Sequence, residues 1–397
     1  MRKQLYLFML AISAMLLMTQ CTRDLVLTPL ATEPEINEAL AWTPDQGILK
    51  FLSDEDKQNA VAEDLESIDR MLKNPKAEDL RSRGAETHIP AGSNNALAAA
   101  IAAAGADDVI ILDAGDHTET GTVVVNKKVK IYGEKGANLI FSNTPSSPIA
   151  NFSPAFHIQS GAEGTIIKGL VFKGNDPIPG VCVFIDSANS IKILQNKFEN
   201  WQLAIVGYTT DRLILTQNKI AVNTGWQIGA IPLAHGIIIS DGNRSSIVMN
   251  EIYGGVFGIF TGGNFGLSFS NNTYQCVYGQ VLCKVPPGEL KINNRLINTK
   301  GSTQHWKVKY NMSNNNLAAG YIVIDGANGN WLQHNCADGN GTYGIELTGE
   351  SSRFGFLAPK SFNNTVIAYR NLTVKDCGEN NAVIGGIWVN TNEDPCY

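Results

Sequence analysis

Apolar and polar residues alternate with a period of two in short runs along most of this chain. From about residue 165 to residue 371 the runs recur as one degenerate phrase. It is clearest at Leu213-x-Leu215-x-x-Asn218-x-Ile220, and returns at Ile191-x-Ile193-x-x-Asn196-x-Phe198 and Leu267-x-Phe269-x-x-Asn272-x-Tyr274. Weaker copies centre on Asn250, Arg295, Asn311, Asn335 and Asn371. Thirteen residues before most markers stands another apolar residue, such as Val183, Ile205, Ile237, Ile259, Leu282 or Ile322. A period of two is strand geometry, and the runs are too short for amphipathic helices. Turn formers such as Asp241-Gly242-Asn243 and Thr261-Gly262-Gly263-Asn264 separate them.

In the most regular places the marker asparagines are 22 residues apart (196 to 218, 250 to 272). A unit of that size cannot bury its own apolar side chains, so it must stack on its neighbours as solenoid repeats do. Equivalent positions then pile up about 4.8 Å apart. Asn196, Asn218, Asn250 and Asn272 are expected to form a hydrogen-bonded ladder at a tight bend, where asparagine tolerates the left-handed backbone.

These repeats resemble those of the right-handed parallel β-helix proteins of the pectin-lyase-like superfamily, with NosD-like or polysaccharide-lyase-like coils. The resemblance covers roughly residues 87–395. It implies an all-β, single-stranded right-handed parallel β-helix and leaves the activity open. Asp108–Gly115 followed by Val129–Ala137 is similar to the first coil of many lyase- and epimerase-like members.

Ahead of the repeat, residues 93–105 predict a capping helix. Ser93, Asn94 or Asn95 can cap it, Leu97 and Ile101 share one face, and Gly105 stops it. Residues 22–86 predict an acidic tether with a helical segment, because Val61, Leu65, Ile68, Met71 and Leu72 fall at helical spacing among acids and lysines. Residues 1–21 have the form of an export signal: basic Arg2 and Lys3, an apolar run from Leu5 to Met18, then Cys21. Cys21 resembles the lipidated cysteine of bacterial lipoproteins, although Gln20 stands where that family has a small residue. The implied location is outside the cytoplasm, lipid-anchored at the outer membrane; a cleaved signal or a membrane anchor are the alternatives. The domain reading is therefore 1–21 signal, 22–86 tether, 87–397 solenoid.

Charge changes the picture only by exclusion. Charged residues are 17% of the chain and the formal net charge is −6, which gives no electrostatic case for nucleic acid. Six cysteines remain after Cys21, and their spacing matches no zinc signature. Cys377 with Cys396 is expected to staple the C-terminal end and Cys276 with Cys283 to close a loop, while Cys182 and Cys336 pack as small hydrophobes.

Candidate chemistry falls where coils are uneven, since loops thrown from a rigid scaffold build sites. The excess residues lie near 222–235, 276–287 and 349–363. On the first strand of each coil the outward positions are expected to be Phe184, Val206, Ile238, Phe260, Cys283, Val323, Glu346 and Trp388. This face is mostly apolar, and is expected to be covered by loops, the N-terminal segment or a partner. The polar alternative is a cluster of stacked Lys197, Lys219 and Glu251, with Arg212 and Arg244 in another shared register near Asp211 and Asp241, and Trp226 and His235 on the long loop. Removing the proton α to a uronate carboxylate needs a base and a cation for the enolate, roles open to Lys219, Arg244 and His235. Trp226, Arg212, Asp241 and Glu251 are the candidate substrate-binding residues.

No group of calcium-binding acids is present in the sequence pattern. No cofactor or metal site is assigned, and calcium is left open. Asp186, Asp241 and Asp325 fall in the same turn of non-adjacent coils, too far apart for a retaining glycosidase pair. Trp201, Trp226, Tyr253, Trp331 and Trp388 are candidate sugar platforms or core residues. The resulting expectation is an extracytoplasmic protein that binds or processes a polysaccharide, with a uronate lyase and a non-enzymatic adhesive surface protein as alternatives.

Overall fold

The structure is a computed structural model. It describes residues 84–142, 153–175, 180–222, 227–228, 231–232, 234–283, 288–292, 295–299, 303–350, 359–389 and 396. The signal, Cys21, the tether and Trp226 lie outside the described residues.

The chain winds as a right-handed parallel β-helix. Each coil contributes up to three short strands, and equivalent strands of successive coils pair in parallel. The first sheet stacks strands such as Pro154–Gln159, Val181–Asp186, Leu203–Tyr208 and the start of His235–Val248. The second stacks Ile166–Lys168, Lys192–Leu194, Ile214–Thr216 and the end of His235–Val248. The third runs from Gly115–Thr120 to Met312–Asn314. Strands His235–Val248 and Phe257–Phe269 continue through the corner between the first and second sheets. Inside, the apolar positions of all three sheets form one continuous core, from Leu97 at the helix to Val374 near the last coil.

The corner between the second and third sheets carries the asparagine ladder. Side-chain amides link Asn196 to Asn218 (3.2 Å), Asn218 to Asn250 (2.9 Å) and Asn250 to Asn271 (3.0 Å), then Asn271 to Asn311 (3.0 Å) and Asn311 to Asn335 (3.1 Å). Each amide also reaches a strand-end carbonyl of the preceding coil, as Asn218 Nδ2 does to Ile193 O at 2.9 Å. Its Oδ1 accepts the backbone N–H of the previous asparagine, as in Asn196 N to Asn218 Oδ1 at 3.0 Å. The left-handed residue is not the asparagine but the one before it: Gln195, Gln217, Met249, Ser270, Tyr310 and His334 all have φ between 52° and 56°. The bend is made there, and the asparagine satisfies the backbone groups that the bend leaves unpaired inside. Shorter ladders occupy the other corners, Asn330–Asn364–Asn381 between the first and second sheets and Asn316–Asn340 between the third and first.

Several expected registers shift by one residue. The ladder uses Asn271; Asn272 lies in the third sheet opposite Glu251. Ser268 therefore takes the inward place of Ile247, while Leu267 and Phe269 pair with outward Ser246 and Val248. Likewise Ile322 faces out and Val323 faces in, the reverse of the expectation; Leu282 faces in as expected, although Gln280, two residues earlier, is the one that aligns with Ile259. The coil between Asn250 and Asn271 is one residue short, the shift falling in the corner between Ile239 and Gly242, and in a period of two a single-residue slip exchanges the inward and outward side chains of the strand that follows. Arg295 is no marker at all: it belongs to an antiparallel hairpin, Gly288–Ile292 with Arg295–Thr299. Asn371 falls inside the strand Thr365–Asp376.

At the N-terminal end a helix, Ala96–Ala103, closes the coil, with Leu97 and Ile101 buried. Its cap is not the side chain of Asn95, which accepts from Thr120 N–H; Glu119 Oε1 accepts from Leu97 N–H at 2.8 Å. Burial, partly offset by the Leu97 and Ala98 N–H groups, raises the Glu119 pKa. Lys127 Nζ donates to Ala102 O and Ala104 O, both at 3.0 Å, favourable for a cation at a helix C-terminus. At the other end Cys377 and Cys396 form a disulfide. Cys276 and Cys283 do not pair. The first sits at the turn into the first sheet with its thiol to Gly254 O (3.3 Å), and the second faces out of that sheet toward Asp325 Oδ2 (3.4 Å).

Candidate functional site

The outward face of the first sheet is built from strands with apolar residues on both sides. Every position of Val181–Asp186 is buried. Phe184, Val206, Ile238 and Phe260 align on this face as expected, followed by Val281 and Ile322. Cys283 also faces out but two residues along the strand, Val323 faces in, and Trp388 lies exposed in the last strand opposite inward Val374. Phe184 and Val206 are each only 1% exposed, and their cluster contains only residues of the same sheet. Ile238 and Phe260, in the middle of the stripe, are half-buried.

The column turns polar at both ends. Toward the C-terminus Glu346 pairs in register with Lys375, whose Nζ lies 3.1 Å from the Tyr343 hydroxyl and 5.0 Å from its ring centre. Toward the N-terminus His157 stands one coil before Phe184 and stacks on it at 5.2 Å. Its Nε2 is 3.6 Å from Asp186 Oδ2, an ion-pair distance too long for a hydrogen bond, with side chains 14% and 7% exposed. Gln159 Nε2 lies 3.3 Å from His157 Nδ1; with the amide donating there, the Nε2 proton is directed at the carboxylate. Ser187 Oγ donates to Asp186 Oδ1 at 3.1 Å, and Tyr208 and Ser240 continue the same register on the next coils. His157, Gln159, Asp186 and Tyr208 thus form an array of donors, acceptors and proton carriers on three adjacent coils.

The residues singled out from the sequence are distributed over different faces. Lys197, Lys219 and Glu251 do stack, on the outward face of the third sheet. Lys219 Nζ is 3.3 Å from Glu251 Oε2 with its side chain 70% exposed, and the Tyr274 hydroxyl donates to Glu251 Oε1 at 2.7 Å. That hydrogen bond, then Lys219, lowers the Glu251 pKa against the opposing effect of burial. Arg212 and Arg244 share a register at the corner between the first and second sheets, both with left-handed backbone, and Arg244 Nε donates to Asp211 Oδ1 at 2.9 Å. Asp241 is left-handed at the same turn, one position beyond Ser240; Asp186 lies one position earlier, in the strand. His235 opens a first-sheet strand, half-buried and stacked on Phe257 at 4.9 Å, and its Nδ1 accepts Phe257 N–H at 3.3 Å. Burial lowers its pKa to about 4. Lys219, Arg244 and His235 therefore stand on three separate parts of the coil perimeter and do not converge. Trp201 is core, its Nε1 donating to Phe172 O. Trp331 lies under Lys307 Nζ at 4.7 Å, and Tyr253 is exposed. Among the described residues no group of three His, Cys, Asp or Glu is placed to hold a metal.

Sequence reasoning missed His157 and Asp186 as a pair because counting back from marker asparagines stops at Asn196. In the coil before it, Leu170 takes the ladder position and donates its N–H to Asn196 Oδ1 at 3.0 Å. The alternation in Pro154-Ala-Phe-His-Ile-Gln159, set against Val181–Asp186, carried the signal.

No family model and no curated protein sequence matches the chain. Among solved structures it is similar to the A-module of mannuronan C-5 epimerase AlgE4 from Azotobacter vinelandii, with 15% identity over 75% of this chain and 92% of that one, TM-score 0.48. It is also similar to the catalytic domain of a GH87 α-1,3-glucanase in complex with nigerose, with 11% identity, 80% and 68% covered, TM-score 0.45. A third is the PL6 family alginate lyase AlyGC, with 12% identity, 78% and 40% covered, TM-score 0.36. These likenesses assign no chemistry to this chain.

Proposed function

We propose that this is an extracytoplasmic β-helix protein that binds and processes a polysaccharide at the His157–Asp186 end of the first sheet. The supporting observation is the His157–Asp186 pair itself, an imidazole and a carboxylate 3.6 Å apart and largely buried on an outward face. Burying such a pair gives a solenoid no clear gain over apolar residues of the same size, so its presence favours a working role. Sugar hydroxyls both donate and accept, which suits the neighbouring donors and acceptors of Gln159, His157, Asp186 and Tyr208. The substrate class is also the one that the solved structures above are named for.

In this reading Asp186 orients and stabilises the imidazolium of His157, and His157 moves the proton. On a uronate, displacement of the Gln159 amide by substrate frees His157 Nδ1 to take the proton α to the carboxylate; the electron pair left behind forms the C4–C5 double bond as the glycosidic C4–O bond breaks, and the Tyr208 hydroxyl protonates the leaving oxygen. We further propose anchoring through lipidated Cys21; a Cys21→Ser protein that still partitions with membranes and takes up labelled palmitate would exclude it.

The test is incubation of the soluble chain with acidic and neutral polysaccharides, with and without calcium, following unsaturated uronate absorbance and reducing ends together. His157→Ala and Asp186→Asn are each expected to lower turnover by about 100-fold or more, the usual weight of a general acid or base. Turnover that survives both substitutions, or a chain that neither retains nor turns over any glycan, would sink the proposal.

A further inference from the structure

Ser240 stands on the outward face of the first sheet, in register with Tyr208, which is itself in register with Asp186. It is 3% exposed, and its hydroxyl has no hydrogen-bond partner. A buried hydroxyl left unpaired costs free energy that an alanine of nearly the same size would avoid. Two residues back on the same strand Ile238 is half-buried, and on the next coil Phe257 and Phe260 are half-buried with ring centres 5.4 Å apart. Tyr278 follows at 6.1 Å from Phe257. The face thus carries two parallel columns, Asp186, Tyr208 and Ser240 with hydrogen-bonding groups, and Val206, Ile238 and Phe260 without. A pyranose is divided in the same way, with hydroxyls around its edge and C–H groups on its faces. Charge is confined to one end of this stretch. The strands Val181–Asp186, Leu203–Tyr208, Phe257–Phe269 and Tyr278–Cys283, and the first-sheet part of His235–Val248, hold no lysine or arginine. Their one carboxylate is Asp186, at the His157 end, and burial keeps His235 neutral near pH 7. A carboxylate on a sugar lying over Val206, Ile238 and Phe260 would lose its water with no cation of these strands to meet it.

We infer that the first sheet takes a glycan in which the sugar at His157 and Asp186 is followed by uncharged sugars, with Ser240 Oγ bonded to a sugar hydroxyl and Ile238, Phe257 and Phe260 against ring C–H faces. The inference rests on the glycan reading of this face and deepens it by naming the class, a mixed or neutral polysaccharide rather than a homopolymer of uronates. The leaving sugar, whose oxygen Tyr208 protonates, is the first to lie along the stretch. From Val206 through Ile238 to Phe260 the chain makes two further coils, about 10 Å along the solenoid axis. Ser240 touches substrate away from the reacting bond, so its effect is on which sugar is accepted. A site that offers a buried hydroxyl to a sugar hydroxyl rejects the sugar that lacks it, because the serine is then left unpaired.

The experiment is affinity electrophoresis of the His157→Ala chain, which keeps turnover out of the measurement, in gels containing several polyuronates. Each polymer is used as the parent, partly carboxyl-reduced to the alcohol, and fully reduced. A reduced form is expected to be retained about tenfold more tightly than its parent, because the uncompensated carboxylates are gone. Ser240→Ala is expected to weaken that retention about fivefold, as loss of one hydrogen bond does, without lowering the thermal midpoint. With His157 in place, the same substitution should raise KM about fivefold and leave kcat within about twofold. A parent polyuronate retained as tightly as its reduced forms would overturn the inference and leave the glycan reading standing. So would retention unchanged by Ser240→Ala, with or without a lowered thermal midpoint. No retention of any form would remove the glycan reading itself, and this inference with it.

Discussion

Asn218 donates to Ile193 O and to Asn250 Oδ1, and its own Oδ1 accepts from the backbone and side chain of Asn196, all without contact with solvent. Asn218→Leu fits the space but strands the Ile193 carbonyl and the Asn196 amide. A loss of about 3 kcal/mol is expected, seen as a lowered urea midpoint. Asn218→Asp keeps the acceptor and loses both donations while burying a charge, so it should cost more. If Leu proved as benign as a surface substitution, the ladder would be incidental to stability. His235 makes a residue-scale prediction in pH. Its folded pKa, about 4, is below the ordinary 6.5, so the unfolded chain takes up a proton in that window that the folded chain refuses. Stability is therefore undiminished above 6.5 and falls as pH drops toward 4, by on the order of 3 kcal/mol. His235→Gln, which retains an acceptor for Phe257 N–H, should flatten the urea-midpoint profile between these values.

At the scale of elements, the two ends of the solenoid are finished differently. The first end has a helix fixed by Glu119 at one terminus and Lys127 at the other. At the other end, Ala382–Trp388 pairs on one side with Thr365–Asp376 and leaves Ile384, Ile387 and Trp388 more than half exposed. The Cys377–Cys396 bridge, 19 residues apart, is the covalent restraint there. A loop of that length constrains the unfolded chain by about 3 kcal/mol. Reduction or Cys396→Ser should speed amide exchange in 382–388 by on the order of 100-fold while leaving the coils around Asn218 unchanged, because a solenoid opens coil by coil. Uniform acceleration along the chain would contradict this local picture.

Over the whole molecule, three faces do three different things. The third sheet is solvated, and Lys219 and Glu251 form an exposed pair there. The second is apolar in its middle with lysines at both ends, and the first is apolar in its middle and ends in titratable pairs. Because Lys219 lies on another face from His157, Lys219→Ala is expected to leave any glycan turnover within about twofold of the unsubstituted protein, since an exposed ion pair of this kind contributes little. A loss comparable to that of His157→Ala in the same assay would return the chemistry to the third sheet.

The sequence by itself determined the solenoid. The period of two, the coil length and the spaced asparagines are local and repeated, and a stack is the only way such short coils bury Val183, Ile205 and Ile237 together. It also determined that Lys197, Lys219 and Glu251 stack, because each directly follows its marker asparagine, even across the long coil between Lys219 and Glu251. Register after the short coil was decided only by the tertiary structure, which chose Asn271 over Asn272 and turned Ser268 inward, because one residue inverts a strand and no local signal marks the slip. The same holds for the site: His157 and Asp186 are 29 positions apart, with residues 176–179 between their strands, and meet only because parallel pairing sets Phe184 beside His157 and Asp186 beside Gln159.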